Sequence, residues 1–208
     1  FLKRGIALTG LVAGGSLLAP LVHAIGQVPR ALPEGKSIYK LKGEVRVDGQ
    51  KAGMDTPVKS TSLVETGSNS LAIFRVGKDA HLLRENSSMQ LSGTTSWADS
   101  MRLLTGQLLS VFGSRASSEK SYNLSTTTAT IGIRGTRFGM LLCDENTKDD
   151  PACIKALEEA KDGKPGEPAL VFDVEEGAIE VKNDAGSKTF EVGQAGVVSS
   201  SKSAPQPL

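Results

Sequence analysis

The stretch Ala129-Thr-Ile-Gly-Ile-Arg-Gly-Thr-Arg-Phe-Gly139 decides the fold of this 208-residue chain. Ile131 and Ile133 share one face of a strand, whereas Phe138 has the opposite parity. A strand buries both sets only if it gains a residue or bends between them. Gly135 provides the place, because glycine tolerates the backbone angles of a bulge. The stretch therefore predicts a long, bent strand in a mostly β protein.

Two arginines bracket the predicted bend. Arg134 and Arg137 can bond to carbonyls or carboxylates where the ladder is broken, which is the interpretation we favour. The alternative is an anion or partner contact, since a guanidinium fork grips carboxylates well. The candidate motif, structural or partner-binding, comprises Gly132, Arg134, Gly135, Thr136, Arg137 and Phe138.

Upstream of the motif, one segment alternates strictly between apolar and polar side chains. Its predicted buried face consists of Tyr39, Leu41, Gly43, Val45 and Val47, and its wet face of Lys40, Lys42, Glu44, Arg46 and Asp48. A period of two predicts a single strand with one buried face. Asp48-Gly49 predicts a tight turn at its end.

Glycine begins three of the apolar segments. Gly43, Gly106 and Gly177 each precede a short β-like run, at unequal separations that exclude a regular repeat. We interpret them as similar corners of one wound β structure, with chance as the alternative. Further short strands are predicted within residues 62–67, 70–76, 81–83, 89–91, 101–112, 122–124, 169–174, 178–182, 189–192 and 195–198.

One helix is predicted, inside an insertion over residues 144–168. Asp150 can cap it, Pro151 suits its first position, and Gly163 can end it. Ile154 and Leu157 are expected on its buried face.

Two cysteines flank the start of this insertion. In an oxidising compartment Cys143 and Cys153 are expected to form a disulfide. A metal or redox pair is the less favoured alternative, because the Cys-x-x-Cys spacing and a neighbouring histidine are lacking.

The first residues have the pattern of an export signal. A basic start precedes the uncharged run Ile6–Val22, and Val22-His23-Ala24 resembles a cleavage site, so residues 1–24 are predicted to be a signal peptide cleaved after Ala24. Phe1-Leu-Lys3 resembles the end of a twin-arginine export motif. We therefore expect a periplasmic or secreted protein, touching a membrane only through the signal segment. The expected mature parts are a linker (25–38), a β domain (39–199) and a disordered tail (200–208).

Composition and motifs argue against several function classes. If the signal peptide removes Lys3 and Arg4, 22 of the 24 basic residues remain against 23 acidic ones. These basic residues do not form the Lys/Arg clusters that binding to nucleic acid requires. His81 is then the one histidine left, and we interpret it as a structural or a surface residue. Adjacent Glu175 and Glu176 would point to opposite faces of a strand and so could not pair, whereas in a turn we expect them to be solvated. The acidic loop at 144–150 lacks the spacing of a calcium-binding hand. We therefore predict no catalytic residues, metal site or cofactor, and a protein that is not an enzyme.

The motif resembles the signature of the FecR domain. Thr127 to Phe138 is similar to that family's Thr/Ala-rich lead and its Gly-hydrophobic-Arg-Gly-Thr core. Val64–Gly67 with Ser70–Phe74, and Gly177–Val181 with Phe190–Gly193, resemble its flanking landmarks. The resemblance implies one β-rich periplasmic domain, a curled body of solenoid-like or sandwich-like form. In the best-known members this domain is half of a membrane regulator that senses an iron-siderophore receptor and controls a sigma factor.

These observations predict an exported, non-enzymatic module with a role in signalling. It would bind an unknown protein, polysaccharide or small ligand of the cell envelope. One alternative is the periplasmic sensor half of a membrane-anchored anti-sigma regulator of iron uptake. Another is a structural protein of the envelope, which would self-assemble.

Overall fold

The computed structural model describes residues 36–93, 98–113, 122–160 and 167–208, with residues 134 and 135 described by their backbone alone. These residues form fourteen strands and one helix, which confirms a mostly β fold with a short helix. The strands before the motif are β1 (Ile38–Lys42), β2 (Val45–Val47), β3 (Gln50–Lys51), β4 (Leu63–Thr66), β5 (Leu71–Val76), β6 (Asp79–Leu83), β7 (Ser88–Ser92), β8 (Ser100–Val111) and β9 (Tyr122–Ser125). The later elements are β10 (Thr130–Cys143), α1 (Pro151–Glu159), β11 (Ala169–Asn183), β12 (Gly186–Glu191), β13 (Ala195–Val198) and β14 (Gln206–Pro207).

Three long strands, β8, β10 and β11, organise the sheet, because each pairs with different strands along its length. The first part of β8 pairs with β7 and β9, and its second part pairs with β6 and β10. Similarly, the end of β11 pairs with β12 and its start pairs with β13. The outer strands form two series of hydrogen-bonded neighbours. One series, β7–β4–β2–β3, starts from one half of β8, and the other, β6–β5–β1, starts from the other half.

The pairings close on themselves. β8 pairs with β9, β9 with β10, and β10 again with β8. The fold as a whole is a closed five-stranded barrel with additional strands, which is not clearly the solenoid or the sandwich that the sequence predicted. The difference arises because β8 and β10 bend and pair with each other, a non-local contact that no local pattern reveals.

The main core lies between the two series of strands. It includes the fully buried rings of Phe74, Phe138, Phe172 and Phe190. A second cluster, centred on Leu82, Leu109 and Leu141, lies on the other face of β6, β8 and β10, where α1 packs. The central strands therefore bury both faces, as expected for strands covered on two sides.

Two of the predicted corners have the same structure, a glycine with positive φ covered by a serine side chain. Gly43 and Gly106 have φ of +72° and +89°, and each is covered by a serine hydroxyl. Ser70 Oγ accepts from the N–H of the residue after Gly43 (2.8 Å), and Ser87 Oγ accepts from the N–H after Gly106 (2.9 Å). The third predicted corner, Gly177, also has positive φ (+74°). The interpretation of these glycines as similar corners is confirmed for the first two.

The predicted strand from Tyr39 to Val47 is wrong as a single element. Gly43 ends β1, which pairs with β5, and the chain resumes as β2, which pairs with β4. The alternation hid the break because Leu41, which packs half-buried against the main core before Gly43, has the same parity as Val45 and Val47, which are buried after it. The Asp48-Gly49 turn is confirmed, since both residues have positive φ (53° and 76°) as a two-residue hairpin requires.

The predicted boundaries need two corrections. Ile38, assigned to the linker, is a buried residue of β1. The tail predicted to be disordered forms β14, which pairs with β13, because Asn183 and the edge of β13 supply partners that its own composition does not indicate. The predicted signal peptide, the first part of the linker and Gly163 lie outside the described residues.

Helix α1 begins as predicted, but its buried face differs. The Asp150 carboxylate accepts from the N–H of Ala152 (2.8 Å), and Pro151 is the first helical residue. Cys153 and Ala156 are buried, and Leu157 packs half-buried against the second cluster as predicted, whereas Ile154, predicted on the same face, is 47% exposed. The tie at Cys153 sets the rotation of the helix, so small residues face the sheet.

The structure joins Cys143 at the end of β10 to Cys153 in α1, with Cα atoms 5.6 Å apart. Both residues are buried, so the bond is inaccessible in the folded state.

We expect the Cys143→Ser/Cys153→Ser variant to lose about 2.5–3 kcal/mol of unfolding free energy, the loop-closure contribution for a separation of this size. Urea denaturation of oxidised protein, reduced protein and the variant measures it. A variant as stable as the oxidised protein would contradict the expectation.

Candidate functional site

The motif lies where β10 changes partner. Residues before the bend pair with β9, through Thr130 to Ile133, and residues after it pair with β8, from Arg137 onward. The register against β11 shifts on both sides of Arg137. The predicted bulge or bend is therefore present, and Ile131, Ile133 and Phe138 are all buried.

Arg137 makes an internal ion pair at this bend. Its Nε lies against the Glu175 carboxylate of β11, and the two side chains are only 12% and 26% exposed. A charge pair withdrawn this far from water is costly to break from one side. Glu175 lies in strand β11 and not in the turn for which solvation was predicted, and its carboxylate is the partner of Arg137 where the ladder is broken.

The remaining motif residues divide by burial. Thr136 and Phe138 are buried, and the Phe138 ring stacks on Phe112 with centroids 5.9 Å apart. Gly132 is half-buried and pairs with Glu180 of β11. The side-chain contacts predicted for Arg134 lie outside the described atoms. Arg137 and Phe138 thus contact other residues of the fold, and a partner contact of the motif stays a prediction.

The Arg137–Glu175 pair can be tested by a double-mutant cycle. We expect Arg137→Met to cost about 2 kcal/mol, because it leaves a partly buried carboxylate unpaired, and Arg137→Met/Glu175→Leu to recover much of that loss. Denaturant unfolding of the four proteins measures the coupling. Replacing the exposed pair Arg46–Glu44 in the same way is the control, with an expected coupling below about 1 kcal/mol. Equal coupling in both pairs would contradict an internal role for Arg137.

His81 lies in the core, so of the two predicted alternatives the structural one is confirmed and the surface one is wrong. Its side chain is fully buried, Nδ1 lies 2.9 Å from Ser110 Oγ, and the ring packs near Phe74 and Phe112. This histidine–serine contact has no solvent access, so a substrate cannot reach it in this conformation.

The insertion is held by a bond within its own loop and by a bond from β8. Asp144 accepts from the N–H of Asn146 (2.8 Å), and Gln107 donates to the Asp150 carboxylate (2.6 Å). Glu145, through a hydrogen bond and its charge, raises the pKa of Lys148 above its usual value, with help from Asp149. Among the residues that the structure describes, no three His, Cys, Asp or Glu side chains converge to hold a metal.

The serines that complete the corners at Gly43 and Gly106 were not predicted from the sequence. Ser70 and Ser87 each follow an asparagine with positive φ, Asn69 (52°) and Asn86 (50°). Each hydroxyl also donates to the carbonyl two residues earlier (3.0 and 2.9 Å). The recurring Asn-Ser pair was the available signal, because asparagine tolerates the left-handed region and serine bonds locally to backbone.

Comparison with known proteins gives limited similarity. No protein-family model matches the chain, and no curated protein matches it significantly. Two crystal structures of "a putative anti-sigma factor from Parabacteroides distasonis ATCC 8503" are similar at 11% identity and a TM-score of 0.49. The match covers 70% of this chain and 58% of each of those chains, which is less than two thirds of their length. Similarity at this level assigns neither a family nor a function to the chain.

Two observations bear on the compartment. The disulfide is compatible with a location outside the cytoplasm. Within the described ranges, no helix has the length and apolarity that a membrane crossing requires.

Proposed function

We propose that this chain is an exported, FecR-like binding module that holds a partner in the cell envelope without transforming it. The observation that carries the proposal is the internal use of its reactive polar groups. Arg137 is paired with Glu175, and His81 contacts Ser110 inside the core. Groups committed to the fold in this way are not available as a nucleophile, base or acid at a surface.

The exposed surface supports binding better than catalysis. Arg102, Thr130 and Lys182 lie on one row of aligned positions across β8, β10 and β11, with Ser125 of β9 between the first two, and all three are solvent-exposed. An ordered sheet with varied polar side chains offers hydrogen-bonding contacts to a protein or polysaccharide. A role in signalling is part of the proposal through the motif resemblance.

Site-specific crosslinking tests this function. The full chain, with its native upstream codons, is expressed in its own host with a photo-crosslinking residue at Thr130, Ile154 or Met54, all exposed. We expect one position to yield a discrete adduct, which mass spectrometry identifies. Adducts of identical pattern from all three positions would indicate random collision and contradict a defined surface.

Turnover assays test the part of the proposal that says the protein is not an enzyme. If purified protein converted a substrate and a single substitution abolished that activity without unfolding the chain, the non-enzymatic role would be wrong.

The codons upstream of Phe1 distinguish the exported module from the membrane-anchored anti-sigma sensor. A cytosolic domain of about one typical small-domain length before Phe1 favours the anti-sigma sensor, whereas a short basic start favours a free exported module.

A further inference from the structure

Gly132 is a glycine that the fold itself does not require. It lies inside β10, in register with Asn123 of β9 on one side and with Glu180 of β11 on the other. Both registers are unbroken at this position, because the shifts against β11 begin only after Arg134. Its φ lies outside the left-handed region, and an added Cβ would meet nothing closer than 3.8 Å. No bulge, turn or steric limit therefore explains the glycine.

An interior glycine of this kind has a cost and an interpretation. Glycine weakens a strand, because it loses more backbone freedom on folding than other residues and has no side chain to pack. Where neither a bulge nor a bend needs it, a strand glycine is typical of a place where a ligand approaches the backbone closely. The bare backbone at Gly132 therefore indicates a contact that the chain does not make with itself.

The glycine lies on an open, polar face of the sheet. Asn123 and Glu180 flank it in the same row, and Thr130 lies two residues earlier on the same face of β10. All three are exposed, and within the described residues their side chains make no hydrogen bond or ion pair. Glu180 Oε2 lies 4.0 Å from the point that a Gly132 Cβ would occupy. Uncommitted polar groups thus surround the bare backbone.

Two cations stand in the neighbouring row. Arg102 of β8 and Lys182 of β11 are exposed, and their charges are unpaired in the part of the chain that the structure describes. Neighbouring strands are about 4.8 Å apart, so the two residues are separated by about 14 Å along the sheet. Only an extended ligand reaches both cations and the glycine whose strand lies between them.

We propose that the face around Gly132 binds an extended polysaccharide chain, with one sugar ring lying against the bare backbone of Gly132. Every hydroxyl of a sugar both donates and accepts a hydrogen bond. The face offers both kinds of partner, an amide at Asn123, a hydroxyl at Thr130, a carboxylate at Glu180 and a guanidinium at Arg102. A side chain at position 132 would hold the ring away from these groups.

The charges favour a sugar chain over a polyanion. Nucleic acid and acidic peptides need cations without an opposing charge, whereas the Glu180 carboxylate borders the glycine between Arg102 and Lys182. This inference rests on the proposed binding function and names its ligand class.

The test uses the full chain and, as the probe, the deproteinised polysaccharide fraction of its host's envelope coupled to agarose. We expect the unaltered chain to be retained, and prior treatment of the polysaccharide with periodate, which cleaves neighbouring hydroxyl pairs, to abolish retention. Gly132→Thr should weaken binding at least about tenfold, which corresponds to about 1.4 kcal/mol. Asn123→Ala, at an exposed partner of the same row, should also weaken it.

Gly53→Thr is the matched control. Gly53 also has room for a Cβ, with the nearest atom at 4.0 Å, but it lies in the loop after β3, at the other end of the order of strands. This variant should be retained as the unaltered chain is.

Urea unfolding separates a binding role of Gly132 from a structural one. Gly132→Thr should unfold at the same urea concentration as the unaltered chain or at a higher one, because threonine favours strands more than glycine does. A destabilised Gly132→Thr would show that the fold needs the glycine and would overturn the proposal.

Three binding results would also overturn it: no retention of the unaltered chain, retention that survives periodate, or equal retention of Gly132→Thr and Gly53→Thr. A discrete protein adduct from a crosslinker at Thr130, without retention on the polysaccharide, keeps the proposed function and assigns this face to a protein.

Discussion

Replacing Gly106 with alanine should destabilise the protein by about 3–5 kcal/mol. An added Cβ would lie 2.1 Å from Ser87 Oγ and 2.6 Å from Ser87 Cα, while φ is +89°. The left-handed backbone costs roughly 1–2 kcal/mol for an L-residue, and overpacking a buried site typically adds about 1–3 kcal/mol. Displacing Ser87 also weakens its bond with the Gln107 N–H. Equilibrium unfolding in urea measures the loss.

Gly49→Ala is the matched control for this substitution. Gly49 also has positive φ (+76°), but an added Cβ there meets nothing within 4 Å. Its expected cost is the backbone contribution alone, about 1–2 kcal/mol. The difference between the two variants isolates the packing of Ser87 against the corner. If both lose the same free energy, the corner device of Gly106 and Ser87 does not stabilise the fold.

The second large effect is expected at Phe138. Its side chain is fully buried in the main core and stacks on Phe112. Phe138→Ala should cost about 3–5 kcal/mol, because it removes buried apolar area and leaves a cavity that a closed sheet cannot collapse. Phe138→Leu, which keeps most of the volume, should cost about 1–2 kcal/mol. Thermal and urea unfolding give the order of the three proteins.

Val192→Ala supplies the surface comparison. Val192 is 63% exposed in the turn before β13, so its truncation should change stability by less than about 0.5 kcal/mol. A Phe138→Ala protein as stable as Val192→Ala would remove Phe138 from the core and return the motif to a surface role. The expected result, a large loss for Phe138→Ala and a small one for Val192→Ala, would show that the motif stabilises the fold. A loss of partner binding in a motif variant would then have to be distinguished from a loss of folding.

Much of the local structure was predictable from the residues. The bend in β10 followed from the parity of Ile131 and Phe138, and the start of α1 from Asp150 and Pro151. The cysteine pair followed from compartment and spacing. These predictions succeed because burial parity, capping and turn chemistry depend on a few adjacent residues.

The site was less predictable, because its contacts join residues distant in the chain. Nothing near Arg137 indicates that its charge partner is Glu175, 38 residues later on a different strand. Ser87 reaches Gly106, and Asn183 reaches Ser203, through the same kind of long-range geometry. Such partners are set by sheet register, which a single sequence specifies only weakly.

The amino-acid sequence alone was sufficient to predict a mostly β protein with glycine corners, one capped helix and one bent central strand. Those features are dictated by steric limits and side-chain periodicity within a few residues. Which strands pair, how β8 and β10 close the sheet, and that residues 200–208 fold back onto β13 were decided only in the folded molecule. The reason is that a β ladder obtains its hydrogen bonds from distant segments, so each strand's position depends on neighbours that local sequence does not contain.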